Sequence, residues 1–388
     1  MTFTRRLAHL ICGLLQVSLP APNLGWSRAA RAEMSAIESD AEALTFAVET
    51  FWGLGVAGLK CRLLRAAVKL GGGAGPGQAL PHVGWQDSLT RWPRALGVAS
   101  VLIASLLGVT VLAVAGAPAR YIAGNIAALG LGLVALAFIG RRVSSDRIGL
   151  DRVLLAVSLL LWVAAGFGET ANGASRWLRV GGLTLQPSLL VLPAMVIGFA
   201  ATQTAMGVLA MVLAAGALAL QPDAAMAGAL CVGLAAAWIS RPGRLGLIAL
   251  ASGVAAWSIT LVRGETAAPL PFVDGVLASA LDVHGVLGVA VLGALGLLLA
   301  PALLGDMREP HTSAAYLTFG GIWTAVIFAG AVGPYPTPVV GYGGSAIVGY
   351  LLSLLMLPTR VAPSPAGRGD AARETPAPAE PNLRLTLT

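Results

Sequence analysis

Charged residues are scarce in this chain. Lysine, arginine, aspartate and glutamate make up 11% of its 388 residues, whereas soluble domains carry about 25%. Hydrophobic residues reach 56%, although aromatic residues supply only 6%. This balance excludes an ordinary soluble domain and predicts a membrane protein.

Cysteine and histidine are also few. The cysteines Cys12, Cys61 and Cys231 are widely spaced and form no CxxC pattern, so we expect neither a disulfide framework nor a zinc site. The four histidines form no ligand cluster. The net charge of +7 comes mostly from arginines in short connectors between apolar runs. The positive-inside rule explains that pattern better than nucleic-acid binding does, and we expect no nucleic-acid partner.

A series of ten apolar runs starts at about residue 95 and continues to residue 357. A hydrocarbon core about 30 Å thick needs about 20 apolar residues per helix. The candidate spans, several of them short, are residues 95–116, 121–140, 148–167, 186–201, 205–220, 223–239, 245–262, 284–304, 314–333 and 343–357. The predicted fold class is therefore all-α: a polytopic membrane protein with about ten transmembrane helices.

The sequence divides into three parts. Residues 1–94 are more polar, contain the linker KLGGGAGPGQALPHVG and begin with a signal-like run that has no clear cleavage site. They predict an amphipathic, helical cytosolic or interfacial module. The transmembrane domain is expected at 95–358, and a disordered cytoplasmic tail at 359–388. Arginine placement puts both termini in the cytoplasm.

The outer loops then carry Arg176, Arg179 and Arg263. A guanidinium group matches the geometry of phosphate oxygens. Arg176 and Arg179, three residues apart, would lie on one face of a turn, and Trp177 between them suits the membrane interface. The alternative is that these arginines only meet lipid headgroups.

Polar residues also stand where outer loops re-enter the membrane. Gln186 and Ser188 open one helix and Asp223 opens another, where helix capping is the simpler explanation. Asp282 is a candidate functional carboxylate at such a point, with capping as the competing explanation. The segment GPYPTPVVGYGGSAIVGY, which contains Tyr342 and Ser345, has too much proline and glycine for a continuous helix.

Three of these loops together resemble the SEDS family, the FtsW/RodA/SpoVE group of membrane glycosyltransferases that polymerise lipid II into peptidoglycan. The family patterns are N-G-A-x-R-W-(I/L)-x-(L/V)-G followed by Q-P-S-E-L-x-K, then Q-P-D, and P-L-P-F-(I/V)-S-Y-G-G-S. The resemblance covers about residues 95–357. The matching residues are Asn172, Gly173, Ala174, Arg176, Trp177, Leu178, Gln186, Pro187, Ser188, Gln221, Pro222, Asp223, Pro336, Pro338, Tyr342, Gly343, Gly344 and Ser345.

The family's catalytic aspartate lies in a pattern like H-T-D-F-x-F-x-x-x-x-E-E-L-G-x-x-G. Laid on this chain without gaps, the aspartate falls on Asp282, and the final Leu and two Gly also match, whereas the His, Thr and both Glu are absent. Asp274 is the fallback. The Glu and Lys that follow Q-P-S in the family are Leu189 and Leu192 here.

The resemblance implies a mechanism. Asp282 would deprotonate a sugar hydroxyl of lipid II, and Arg176, Arg179 or Arg263 would meet the charge of the leaving undecaprenyl diphosphate. It also implies a bacterial inner-membrane location, a class B penicillin-binding transpeptidase as partner and Mg²⁺ or Mn²⁺ as the candidate cation. The substrate-binding residues would further include Trp177, Gln186, Ser188, Tyr342 and Ser345.

Two alternatives remain open. A catalytically inactive paralogue would act as a scaffold or lipid-binding partner in envelope assembly, and the missing Glu and Lys favour it. A lipid flippase is the other alternative, although no inverted repeat is evident. The retained Asp282 and Arg176 favour the polymerase.

Overall fold

The structure is a computed structural model. It describes residues 5, 8, 9, 11, 12, 24–50, 93–140, 147–171, 174–180, 183–264, 269–305 and 310–357. Within these ranges the chain forms fourteen α-helices and three short β-strands. The predicted linker and the predicted tail from residue 359 lie outside the described residues, so both stay predictions.

The helices and strands of the described ranges follow in chain order. The helices are α1 (Leu24–Ala36), α2 (Asp40–Thr50), α3 (Pro93–Val114), α4 (Ala119–Gly140), α5 (Arg147–Phe167), α6 (Pro187–Thr202), α7 (Ala205–Leu220), α8 (Ala224–Ser240), α9 (Arg244–Arg263), α10 (Val276–Val283), α11 (Gly285–Leu297), α12 (Ala300–Leu304), α13 (Pro310–Val332) and α14 (Gly344–Leu354). The strands are β1 (Glu169–Ala171), β2 (Ala174–Val180) and β3 (Leu183–Leu185).

Ten of these helices coincide with the ten predicted spans. Helices α3, α4, α5, α9 and α13 are long and apolar enough to cross a membrane, and α6, α7, α8, α11 and α14 are shorter apolar helices. The prediction of a predominantly α-helical, polytopic membrane fold is confirmed. The predicted span 284–304 is interrupted, because α11 ends at Leu297 and α12 starts at Ala300 with a proline in its first turn.

Helix α6 is the centre of the bundle. Most of its residues are buried, and it contacts α5, α7, α8, α13 and α14. Gly349 of α14 crosses it so closely that a methyl group there would overlap the backbone carbonyl of Leu189. Helix α4 lies at the periphery, where it packs on α3 and α14 and has only 11% of its apolar stretch buried.

The segment between α5 and α6 forms an antiparallel three-stranded sheet, which the helical prediction did not include. Ala171 pairs with Ala174, and Val180 pairs with Leu183. Two residues therefore separate each pair of strands, Asn-Gly in the first case and Gly-Gly in the second. These dipeptides are typical of two-residue hairpins, so the signal was present in the sequence.

The sheet corrects the expected arrangement of two arginines. Arg176 and Arg179 both lie on β2, and side chains three positions apart on a strand point to opposite faces. Arg176 is accordingly buried, whereas Arg179 is exposed. The prediction that both lie on one face of a turn is wrong.

Candidate functional site

Polar side chains from the first turns of three helices meet in one buried group. This polar cluster consists of Gln186, Ser188, Asp223 and Ser345, all of them at most 4% exposed. Ser345 Oγ accepts a hydrogen bond from the backbone N–H of Gln186 at 2.9 Å. Asp223 Oδ2 accepts one from Ser188 Oγ at 3.1 Å and one from Gln186 Nε2 at 3.2 Å.

Asp223 also caps a helix, as its position in Q-P-D predicts. Its Oδ1 accepts a hydrogen bond from the backbone N–H of Met226 at 3.1 Å in the first turn of α8. The positive end of a helix dipole stabilises a carboxylate at this position. The same carboxylate thus fixes the start of α8 and ties it to the start of α6.

Arg176 reaches this region from β2. Its guanidinium carbon lies 5.7 Å from the ring centroid of Tyr335, and the residue is only 4% exposed. Burial raises the pKa of Tyr335, the negative charge of Asp223 raises it further, and Arg176 lowers it. Tyr335 therefore packs against Arg176 and interacts electrostatically with Asp223 of the polar cluster.

Asp274 lies in the segment 269–275, here called the aspartate loop, between α9 and α10. Its Oδ2 accepts a hydrogen bond from the backbone N–H of Leu270 at 2.8 Å, while its Oδ1 is buried without a hydrogen-bond partner among the described residues. Burial raises the pKa of Asp274, and the Leu270 hydrogen bond and the charge of Arg176 oppose that shift. The charges of Asp274, the fallback aspartate, and of the buried Arg176 therefore interact.

The segment 333–343, here called the last outer loop after the side of the membrane predicted for it, holds the aspartate loop by backbone pairing. Asp274 and Pro336 form an isolated bridge, and the N–H of Thr337 donates to the Val273 carbonyl at 3.0 Å. Thr337 Oγ1 accepts a hydrogen bond from the N–H of Val276 at 3.1 Å, at the start of α10. The position of Asp274 therefore depends on the last outer loop.

Backbone strain is present in both loops. Phe272 and Val339 have φ angles of 65° and 68°, a region that bulky and β-branched residues rarely adopt. Such conformations cost about 1–3 kcal/mol each and persist where surrounding structure enforces them, often at functional sites.

A cavity of about 400 Å³ opens beside Asp274. Its walls are mainly apolar and come from the end of α3, the aspartate loop, α10 and α11. The lining residues are Val111, Leu112, Val114, Ala115, Pro269, Leu270, Pro271, Phe272, Asp274, Val276, Ser279, Ala280, Val283 and Leu287. An apolar cavity with a carboxylate at its wall suits a ligand that has a hydrocarbon part and a polar head.

Asp282 occupies a different position. It is exposed on α10, on the side of the helix away from the buried Val276, Leu277 and Ala280, and it is not among the residues that line the cavity. Its catalytic role stays a prediction.

The sequence contains a signal for the other aspartate. A second gap-free register of the family pattern, shifted by eight residues, puts the catalytic aspartate on Asp274. The two pattern glycines then fall on Gly285 and Gly288, and Asp282 takes the place of the first Glu.

The remaining predicted residues are dispersed. Arg263 is exposed and its guanidinium donates to the carbonyl of Ala219 at 2.7 Å, at the end of α7. Trp177 is half-buried in β2 and pairs with Glu169 across the sheet. Tyr342 stacks on Tyr121 with ring centroids 3.9 Å apart.

The sequence reasoning missed two residues at the site. Tyr335 lies in the proline-rich segment but was not singled out there. Asn125 is buried in α4 and bonds to the last outer loop. The signal for Asn125 was an amide side chain within an apolar span, where polar residues are commonly functional.

The divalent cation stays a prediction. Within the described ranges no group of three His, Cys, Asp or Glu residues could hold a metal ion.

Comparisons with known proteins agree with this architecture. The sequence pattern of the FtsW/RodA/SpoVE family, described as cell cycle protein, matches residues 90–262. The rod shape determining protein RodA of Thermus thermophilus has a similar crystal structure, with a TM-score of 0.51 and 25% identity over 67% of this chain and 94% of that chain. An aspartate-to-alanine mutant of the same RodA matches with a TM-score of 0.50, 25% identity and the same coverage. No curated protein sequence matches the chain.

Proposed function

Because the chain belongs to the FtsW/RodA/SpoVE family, whose members act in peptidoglycan synthesis for cell shape or division, we propose that it polymerises lipid II. The chain is a multi-pass membrane protein. The reaction would take place at the outer face of the bacterial cytoplasmic membrane, with both termini inside and a class B penicillin-binding transpeptidase as partner. The arginine-rich inner connectors support that orientation.

The observation that carries this proposal is the environment of Asp274. Its carboxylate borders an apolar cavity of about 400 Å³, and burial raises its pKa. A carboxylate with a raised pKa is a stronger base, and general-base catalysis works best when the pKa approaches the working pH. Asp274 thus has the properties of a proton acceptor beside a lipid-binding cavity.

In the proposed reaction, the carboxylate of Asp274 accepts the proton of a sugar hydroxyl on one lipid II molecule. The hydroxyl oxygen then attacks the anomeric carbon at the end of the growing strand. The bond from that carbon to the diphosphate breaks, and undecaprenyl diphosphate leaves with the electron pair. Arg176 offsets the developing negative charge, because a fixed cation in a site shielded from water stabilises such charge strongly.

The cavity and the polar cluster have separate tasks in this scheme. The apolar walls from α3 and α10 accommodate the beginning of the prenyl chain. The polar cluster fixes the first turns of α6, α8 and α14, against which Arg176 and Tyr335 are held. Arg179 and Arg263, exposed at the rim, meet lipid headgroups.

The second candidate is a scaffold without catalytic activity. The family's Glu and Lys after Q-P-S are replaced by Leu189 and Leu192, which are 3% and 0% exposed within α6. These two positions are therefore part of the apolar core and offer no charged group to a substrate. This substitution favours a lipid-binding partner role.

Polymerisation of labelled lipid II by the purified protein and its transpeptidase partner tests the choice. We expect glycan strands from the parent, a loss of about 100-fold or more for Asp274→Asn, and activity within about twofold of the parent for the matched control Asp282→Asn. A parent that binds its partner but makes no strands would support the scaffold. Full activity of the Asp274 variant would overturn the assignment of the base.

A further inference from the structure

Asn125 is a buried polar side chain on the otherwise apolar helix α4. It is 2% exposed, and both ends of its amide are used by the last outer loop. Its Nδ2 donates to the carbonyl of Gly341 at 3.0 Å, and its Oδ1 accepts from the N–H of Gly343 at 3.2 Å. One side chain thus holds a three-residue backbone segment by two hydrogen bonds.

An aromatic contact supports the same segment one helical turn earlier. Tyr121 lies four residues before Asn125 and therefore on the same face of α4. Its ring stacks on Tyr342 with an interplanar angle of 5°, and Phe272 contacts it edge-on with the ring centroids 6.2 Å apart. The outer end of α4 therefore touches both the last outer loop and the aspartate loop.

The segment that Asn125 holds is bonded directly to the aspartate loop. The N–H of Tyr342 donates to the carbonyl of Phe272 in the aspartate loop at 2.7 Å. Within the last outer loop, the N–H of Gly341 donates to the carbonyl of Thr337 at 3.0 Å. A Cβ at Gly341 would lie 2.8 Å from the Val273 carbonyl oxygen, so the two backbones touch. A shift of Gly341 would therefore displace the residues next to Asp274.

We propose that Asn125 is a positioning residue for the reaction of Asp274. It clamps Gly341–Gly343 so that the last outer loop presses the aspartate loop into its strained conformation. The inference rests on the proposed function. Each of the strained φ angles of Phe272 and Val339 costs about 1–3 kcal/mol. Contacts from the surrounding structure must therefore hold these two residues in place.

The clamp needs an amide specifically. The asparagine side chain offers a hydrogen-bond donor and an acceptor, an ionised aspartate offers only acceptors, and leucine offers neither. The packing of α4 on α14 uses other residues, because Ala128 lies against Gly344 and Gly132 against Leu351. Loss of the amide should therefore disturb the loops more than the helix.

Kinetics of lipid II polymerisation test the clamp. For Asn125→Leu we expect kcat to fall roughly 10- to 100-fold with KM within about threefold, because misplacing a catalytic group by about 1 Å has an effect of that size. The matched control is Ile126→Ala, the next residue, which is 56% exposed towards lipid. It should retain the kcat of the parent. Unchanged kcat in the leucine variant would overturn the inference.

Asn125→Asp adds a pH signature. An ionised aspartate cannot donate to the Gly341 carbonyl, whereas the protonated acid donates and accepts as asparagine does. The ratio of its kcat to that of the parent should therefore rise as pH falls. The neighbouring ionisable groups Arg120, Tyr121 and Tyr342, and Asp274 itself, are present in both proteins, so the ratio cancels their titration. A ratio that falls as pH falls would contradict the clamp.

Hydrogen exchange separates this inference from the proposed function. In Asn125→Leu the amides of Thr337, Tyr342 and Val276 should exchange about tenfold faster or more, with no change in Ile126→Ala. If the parent polymerises lipid II and these amides stay protected, the inference fails and the function stands. If the parent is inactive, the polymerase assignment fails, and faster exchange in the leucine variant alone supports the clamp.

Discussion

Ser188 donates its hydroxyl to the carboxylate of Asp223 across 3.1 Å, and this bond joins the first turns of α6 and α8. Asp223 is fully buried and also accepts hydrogen bonds from Gln186 and from the backbone of Met226. A carboxylate with three donors is stable in such a place, whereas each donor left without it would be unsatisfied. Asp223 therefore organises the end of the bundle at which α6 and α8 begin.

Asp223→Ala should destabilise the protein by roughly 3 kcal/mol or more. The change removes a helix cap, which contributes about 1 kcal/mol, and leaves buried polar groups unpaired at about 1–3 kcal/mol each. Thermal unfolding in detergent measures the effect. Ser188→Ala should cost only about 1 kcal/mol, and Ser258→Ala, at an exposed position on α9, should be neutral. Equal effects from all three changes would contradict the assigned role.

The pH dependence of polymerisation should have an acid limb set by Asp274. Because burial raises the pKa of this carboxyl above 3.8, activity should fall as pH drops through that raised value and the base becomes protonated. A rate profile over pH 4–8 measures the limb. An acid limb with a midpoint at or below the ordinary value would show that another group is the base.

Stability should respond to Asp274 in the opposite direction. A raised pKa means that the fold favours the protonated form, so this contribution to stability is present below the unfolded pKa and is lost as pH rises through the folded one. Asp274→Asn keeps the acceptor for the Leu270 N–H and removes the charge. Its thermal midpoint at neutral pH should therefore equal or exceed that of the parent. A clear drop in the thermal midpoint would show that the charge of the Asp274 carboxylate does not destabilise the fold.

Arg176 and Arg179 should differ sharply despite their spacing. Arg176→Ala removes a cation that lowers the pKa of Asp274, so its acid limb should move to higher pH and its kcat should fall about tenfold or more. Arg179→Ala, on the exposed face of the same strand, should leave the limb unchanged. Rate profiles of both variants measure this difference, and an identical shift in the two would refute the assigned faces.

Gly349 should tolerate no side chain. In Gly349→Ala the new methyl group would overlap the carbonyl of Leu189, and overpacking of this kind costs about 1–3 kcal/mol. At Gly130 on α4, no atom lies within 4 Å of the place that a methyl group would take, so Gly130→Ala should change stability by less than about 1 kcal/mol. Thermal unfolding of the two variants tests the close crossing of α6 and α14.

The membrane spans could be predicted from the sequence because the hydropathy of a span depends only on the apolar residues within that span. Each of the ten runs has its helix, including the short α6 at Pro187–Thr202 and α14 at Gly344–Leu354. The cap at Asp223 could be predicted for a similar reason, since a capping residue acts within its own first turn.

The outer loops were harder to predict because contacts distant in sequence determine them. Whether Asp274 or Asp282 matches the family pattern depends on a register that the sequence alone leaves open, and pairing with Pro336 distinguishes the two aspartates in space. The burial of Arg176 follows from strand alternation, which a helical or turn assignment hides. Asn125 appears as an isolated amide until its partners, more than two hundred residues later, are known.

The short helices have a consequence for how substrate arrives. α6 has 16 residues and α14 has 11, so at about 1.5 Å per residue they extend about 24 Å and 17 Å, less than the ~30 Å of hydrocarbon around them. Neither helix alone crosses that layer, and the first turns of both, which carry Gln186, Ser188 and Ser345, come together in the polar cluster. If these first turns are the recessed ends, a lipid-linked diphosphate would reach them sideways, its tail still among neighbouring lipids, without being lifted into water.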